Sequence, residues 1–366
     1  MSESRHTLSL ISWRGLTSEL GDEQLRGAIQ HILRVTPSPW KYIATVPTSV
    51  GLLVMNALQK ELDEADPGDT YHTTCMKCLR ALSKERSVFP SSLICETIVA
   101  KGDYPVAGGG LADIWEGRMN GQAVCLKVLR IFGIPKPQEE ILLKDLCYEA
   151  LVWRQLHHEN IVPFLGVNFD YFKPKFCLVA PWMKNGNIID YLELHPNHNR
   201  VKCVYEIASA IEYLHSLDPQ VIHGDIRGCN VLVSDDLRCC LADFGASVIM
   251  ATQAPSSNTM NESPLPWLAP ELQEYVSQSY DQAFLPGRDI YAFGCTVIEI
   301  FTLERPYAHL RPSAILEEIQ QGKRHPRPPI NVLPSDELWR LVEKCMEKDP
   351  SQRPGAKDVK RHLESI

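Results

Sequence analysis

The chain has 366 residues, enough for two compact units or for one large two-lobed domain with an extension. Apolar residues at 44% against 22% charged give the balance of a soluble globular protein and exclude a disordered or fibrous one. A formal net charge of −8 argues against general binding to nucleic acid or to an anionic membrane surface.

The N-terminal stretch MSESRHTLSLISWRGLTSEL lacks the basic start and apolar core of a secretory signal, and no later apolar run approaches the length of a membrane span. A soluble, cytoplasmic protein is expected. The twelve cysteines are scattered through apolar runs such as AVCLKVL, which reads as reduced, buried thiols rather than a disulfide framework.

Residues 1–92 read as a helical extension. Apolar residues recur at helical spacing in EQLRGAIQHILRV and in VGLLVMNALQKEL, with the proline-containing TPSPWKYIATVP between them. In YHTTCMKCLRAL, His72, Cys75 and Cys78 have the spacing of half a zinc site, but no second ligand pair follows, so thiols on a buried helical face are expected. The extension carries no catalytic pattern; capping of the next domain, dimerisation and partner docking are all compatible with it.

A linker at Pro90 to Ser92 marks the change to short β-rich runs, and a domain is placed at residues 93–366. Strands are predicted in LICETIVA, LADIWEGRM, QAVCLKVLR, IVPFLGV and KFCLVAPW, with a helix through ILLKDLCYEALVWRQL. From about Asn187 onward helices dominate: VYEIASAIEYLHSL, RDIYAFGCTVIEIFTL, PSAILEEIQQG, SDELWRLVEKCME and AKDVKRHLESI. The expected class is α+β: a small antiparallel sheet lobe with one helix (93–183) and a larger, mostly helical lobe (184–366).

Several polar residues along this domain suit phosphoryl transfer, which asks for a phosphate cradle, a cation, metal-binding oxygens and a group to orient the attacking hydroxyl. The glycine-rich turn VAGGGLADIWEG offers bare backbone, though a tight hairpin needs glycine as well. Lys127 follows in the strand VCLK, and Glu149 lies in the next helix, flanked by apolar positions that turn it toward the sheet. HGDIRGCNVLV then places Asp225 and Asn230 in one loop, and LADFGAS places Asp243 after a strand; the oxygens of Asn230 and Asp243 suit Mg²⁺.

With these motifs in order, residues 95–366 resemble the eukaryotic protein kinase family: glycine loop, Lys127, Glu149, the loop from His223 to Asn230, DFG at Asp243, APE at Ala269 to Glu271, and Asp289 in RDIYAFG. The resemblance implies ATP and Mg²⁺ as cofactors and a protein hydroxyl as substrate. It implies that Lys127 binds phosphates and pairs with Glu149, that Asp225 orients the hydroxyl, and that Arg227 stands where the family usually has lysine. The nucleotide would lie against Ala107, Gly109, Gly110, Ala112, Ile114, Cys125 and Leu232, with its edge on Ala180, Pro181, Trp182 and Met183. Trp153, Phe164, His223 and Phe244 match the family's apolar spine, and Arg353 matches the arginine that pairs with the APE glutamate, Glu271. Within the family the chain looks most like the tyrosine-kinase-like group, particularly its fungal members, which are mainly serine/threonine kinases.

Five departing positions stand out. Ala107 and Ala112 occupy outer loop glycine positions, Gly224 replaces the arginine before the catalytic aspartate, and Pro264 and Pro266 lie where a threonine and an arginine are common. Without the arginine, activity is expected not to require a phosphorylated activation loop. A pseudokinase that serves as a binding or scaffolding module is the alternative; five retained polar residues, Lys127, Glu149, Asp225, Asn230 and Asp243, argue against it.

Overall fold

The computed structural model describes residues 21–66, 69–86, 90–108, 112–130, 150–173, 175, 177–218, 220–243, 264–273 and 285–366. It divides into two compact units, the first holding Met1–Val106, Leu111–Gln155 and Phe164–Ala180, the second Ala107–Gly110, Leu156–Pro163 and Pro181–Ile366.

The first unit begins with four helices: α1 (Asp22–Val35), α2 (Pro39–Ile43), α3 (Thr48–Glu64) and α4 (Thr70–Arg86). The proline-containing break therefore holds a short helix of its own, because Pro39 at its first turn has a fixed φ suited to starting one. The apolar stripes of the helices close on a core that includes Ile29, Ile43, Val54, Leu58, Cys75, Cys78 and Leu82. Cys75 and Cys78 are wholly buried there, as thiols on a helical face.

The sheet of this unit runs in the order β1 (Ile98–Ala100), β3 (Ala112–Met119), β4 (Gln122–Leu129), β6 (Cys177–Pro181), β5 (Gly166–Asn168), while β2 (Ala107–Gly108) precedes β3 in the chain. The pairings β1 with β3, β3 with β4 and β5 with β6 are antiparallel. Two predicted strands are shortened. A 3-10 turn, Ser91–Leu93, takes up the first residue of LICETIVA, and only the last three residues of that run pair as β1. In IVPFLGV only Gly166 and Val167 join β5; Pro163 has no N–H to give, and Ile161 and Val162 instead meet Leu241. Residues 150–154 are helical, and Trp153 stacks on Phe164 with ring centroids 4.8 Å apart.

In the second unit α5 (Ile188–Leu194) and α6 (Arg200–Ser216) are capped by Asn187 and Asn199, whose side chains accept hydrogen bonds from first-turn amides. A two-stranded ribbon, β7 (Val231–Val233) with β8 (Cys239–Leu241), follows. Then come α7 (Pro270–Gln273), α8 (Leu285–Thr302), α9 (Pro312–Gln320), α10 (Asp336–Cys345) and α11 (Ala356–Leu363). Helix α8 is the apolar centre: Ile290, Phe293, Val297, Ile298 and Ile300 are all buried. None of the described helices is long and apolar enough to cross a membrane.

Candidate active site

The loop between α6 and β7 is held from behind by α8. Asp289, fully buried, accepts the backbone N–H groups of His223 and Gly224 at 2.8 Å each and lies 3.0 Å from His215 Nε2. Burial opposes its ionisation, but His215, with Arg288 and His223 nearby, holds it below the ordinary carboxylate value. Gly224 stands at φ 77°, a left-handed backbone in which glycine meets no Cβ penalty. Ten residues further along α8, Glu299 accepts from Gly228 N–H at 2.8 Å and from the Trp267 indole at 3.1 Å. Burial pushes its carboxyl up to about 7, because those donors are neutral and the charge of Arg227 is a lesser influence.

On this anchored loop Asp225, Arg227 and Asn230 come together. Asp225 is 5% exposed. Its Oδ2 accepts from Asn230 Nδ2 at 2.7 Å, and the same amide also reaches the Asp225 carbonyl at 2.8 Å. Its Oδ1 stands 3.0 Å from Arg227 Nε in an ion pair. Burial alone would lower the Arg227 pKa, but Asp225, with Cys229 and Asp243 adding to it, raises it above its ordinary value. Asp243 follows β8 with a left-handed backbone, φ 64°, and is close enough for its charge to act on Arg227 and Cys229.

The donor set fits a small hard cation. Asn230 spends its NH₂ on Asp225, which leaves Oδ1 as the atom to offer a metal, and Asp243 adds carboxylate oxygens. Among the described residues these two are the oxygen donors that the motif order singled out for Mg²⁺.

In the first unit, strand register sorts the nucleotide candidates. Ile114 faces Lys127 across the β3/β4 ladder, Glu116 faces Cys125 and Ala112 faces Leu129. Side chains alternate between faces, so Ala112, Ile114, Cys125 and Lys127 share one face. The opposite face carries Val124, Leu126 and Val128, which pack with Cys177 and Val179 of β6 in the core. Ala180, one residue past Val179, therefore points to the Lys127 side of the sheet. Ala107 is exposed on β2; Pro181, the last residue of β6, and Trp182 and Met183 after it are half-buried, and Leu232 is half-buried on β7. Glu149, Gly109, Gly110 and Phe244 lie outside the described residues.

Arg353 and Glu271 form the pair expected from the resemblance, two parallel hydrogen bonds of 2.7 Å each. The arginine also donates to the carbonyls of Gly287, Glu347 and Lys348 and lies over the Tyr291 ring. Pro264 leads into a 3-10 turn, Leu265–Trp267, in which Pro266 and Trp267 are buried. Glu299 was not foreseen among the site residues. Its signal was available: a carboxylate in the middle of an otherwise apolar helix is seldom buried without a task.

One unit is helical and anchors a loop aspartate, and the other carries a strand lysine on an antiparallel sheet; this is the class of a phosphotransferase domain. Residues 100–363 match the family described as protein tyrosine and serine/threonine kinase, and the chain belongs to that protein kinase family. It is 28% identical over 72% of its length to the serine/threonine-protein kinase STY46 of Arabidopsis thaliana, covering 43% of that protein. It is 27% identical over 71% to the dual specificity protein kinase shkC of Dictyostelium discoideum, covering 50% of it. To the tyrosine-protein kinase Abl of Drosophila melanogaster it is 28% identical over 75%, covering 16%. The chain thus spans half or less of the length of these relatives. They differ in the hydroxyl their names specify while differing hardly at all in identity.

Proposed function

We propose that this chain is an ATP-dependent protein kinase that transfers the γ-phosphate to a protein hydroxyl, that of serine or threonine, in intracellular signalling. The observation that carries the reading is the loop geometry: Asp225 is buried, held by Asn230 on one oxygen and by Arg227 on the other. Each carboxylate oxygen keeps a further lone pair with which to accept a hydroxyl proton. In this reading Asp225 orients the substrate hydroxyl, Arg227 offsets charge on the phosphate in flight, and Lys127 holds phosphates while pairing with Glu149. Mg²⁺, when bound to Asn230 and Asp243, neutralises charge on the phosphates. Ala107, Gly109, Gly110, Ala112, Ile114, Cys125, Ala180, Pro181, Met183 and Leu232 line the nucleotide.

We take residues 93–366 as the kinase domain, with the boundary between its lobes along the chain near residue 183, and residues 1–92 as its helical extension. The HGD form of the loop assigns it to the fungal branch of the tyrosine-kinase-like group, where serine/threonine specificity prevails. A cytoplasmic location suits its thiols, which are all free among the described residues.

A phosphate-transfer assay on a generic protein substrate, comparing the wild type with Asp225→Asn and Lys127→Met, tests the reading. Each variant is expected to lose at least about a hundredfold in rate. Equal signal from all three proteins rejects it.

A further inference from the structure

We propose that the second unit carries a docking notch for the phosphate of a phosphorylated protein segment, at the C-terminal ends of α9 and α10. The kinase reading above names the source of the phosphate; the notch rests on its own geometry. A cavity of about 10 Å³ lies at these helix ends, room for one oxygen-sized group. Its buried wall holds Tyr291, Tyr307 and Met346, and its exposed wall holds Lys323, Arg324 and Lys348.

Tyr307 is 1% exposed. The Tyr291 hydroxyl and the His325 backbone N–H lie beside its oxygen as donors. Its own hydrogen has no acceptor among the described residues. A phenol gives one hydrogen, and a buried donor left unused is costly, so the position calls for an acceptor. The helix ends do not supply one, because their carbonyls are already engaged. Gly322 and Lys323 N–H turn back to the carbonyls of Ile319 and Glu318, and Arg353 donates to those of Glu347 and Lys348.

A water molecule can accept that hydrogen, but the charge on the exposed wall favours an anion. Three cations stand there against two carboxylates: Lys323 Nζ is 2.6 Å from Glu318 Oε1, and Arg324 Nη2 is 2.6 Å from Glu347 Oε1. Exposed pairs of this kind are weak, so a dianion competes for the cations. A phosphate monoester carries a charge of about −2 and three terminal oxygens. With one oxygen in the notch on Tyr307, two remain for the cations, whereas a carboxylate keeps only one. The ester oxygen leads outward past exposed side chains, as a phosphorylated serine or threonine in a segment requires. Asp225 belongs to the same unit, so the notch serves to hold a segment phosphorylated once while a second hydroxyl is used.

The test is calorimetric titration of the full-length chain with a blocked peptide Ala-Ala-phosphoserine-Ala-Ala, its serine counterpart and inorganic phosphate. The phosphopeptide is expected to bind saturably, at least about tenfold tighter than either of the others. Tyr307→Phe and Lys348→Glu are each expected to weaken it about tenfold, with kcat on a generic protein substrate kept within about twofold. Lys348→Glu, at an exposed position, carries the test if Tyr307→Phe does not fold. Absence of saturable binding overturns the proposal, as does serine peptide or inorganic phosphate binding as tightly as the phosphopeptide. Phosphopeptide binding that the variants leave intact lies elsewhere on the chain and overturns it too. A wild type no more active than Asp225→Asn rejects the kinase reading, and the titrations then decide the notch by themselves.

Discussion

Glu61 in the extension and Glu299 beneath the catalytic loop are both buried glutamates on helices, 4% and 8% exposed, yet their surroundings drive them in opposite directions. Glu61 gathers Arg26, both through its side-chain contact and its charge, with Gln30 at 3.0 Å and the Tyr71 hydroxyl at 2.6 Å. Burial works against ionisation there, but Tyr71, Arg26 and Gln30 together hold its pKa below the ordinary value of 4.5. Glu299 has a backbone N–H and an indole as donors and rises from 4.5 to about 7. The difference is one adjacent, directly paired cation. In the extension the carboxylate is consumed in joining α1, α3 and α4, as suits a structural part. Under the loop the carboxylate joins the 3-10 turn at Trp267 to the backbone at Gly228.

The largest expected effect comes from removing the Glu299 side chain. Glu299→Ala leaves the Gly228 N–H and the Trp267 indole without their acceptor and opens a cavity, which costs about 3 kcal/mol in stability. Denaturant unfolding measures it, and a loss below about 1 kcal/mol would show that the loop does not depend on this anchor.

Next is Tyr71→Phe, which takes one donor from an ionised carboxylate and is expected to cost about 2 kcal/mol. A neutral result would mean that Arg26 and Gln30 already satisfy Glu61, and the contrast between the two glutamates would rest on the cation alone.

The smallest effect, and the sharpest discriminator, is in the pH dependence. Glu299 binds its proton more tightly in the folded state, so its contribution is fully present below about 4.5 and is lost as pH rises through about 7. Glu61 binds its proton less tightly when folded; its contribution is present above 4.5 and is lost as pH falls through its lowered value. Urea midpoints for Glu299→Gln should therefore decline less than those of the wild type between pH 5 and 8, by about a kcal/mol or more after conversion to free energy. Parallel curves would reject the raised pKa.

Much of this protein was legible in its sequence. Helical periodicity located α1, α3 and, in the second unit, α6, α8, α9, α10 and α11, because each buries a single stripe and the stripe is written at a spacing of three and four residues. The order of motifs identified Lys127, Asp225, Asn230 and Asp243 as candidates, since a loop carboxylate, its amide partner and a strand lysine keep their order along the chain whatever the rest of the sequence does. That Ile114, Cys125 and Lys127 share a face follows from the pairing register of β3 with β4, which belongs to the folded sheet.

What only the tertiary structure decided are the relations between residues far apart in the chain. No local pattern says that Glu299 accepts from Gly228, 71 positions away, or that Gln59 meets Gln155, 96 positions away. Nor does periodicity distinguish a glutamate whose pKa is held down from one whose pKa is pushed up, for that depends on whether a cation arrives from another element. The extension shows the limit most clearly: its helices could be read one by one, but the pairing of Asn56 with Ser91 and of Gln59 with Gln155 exists only because α3 is folded against the segment and the helical run that follow it.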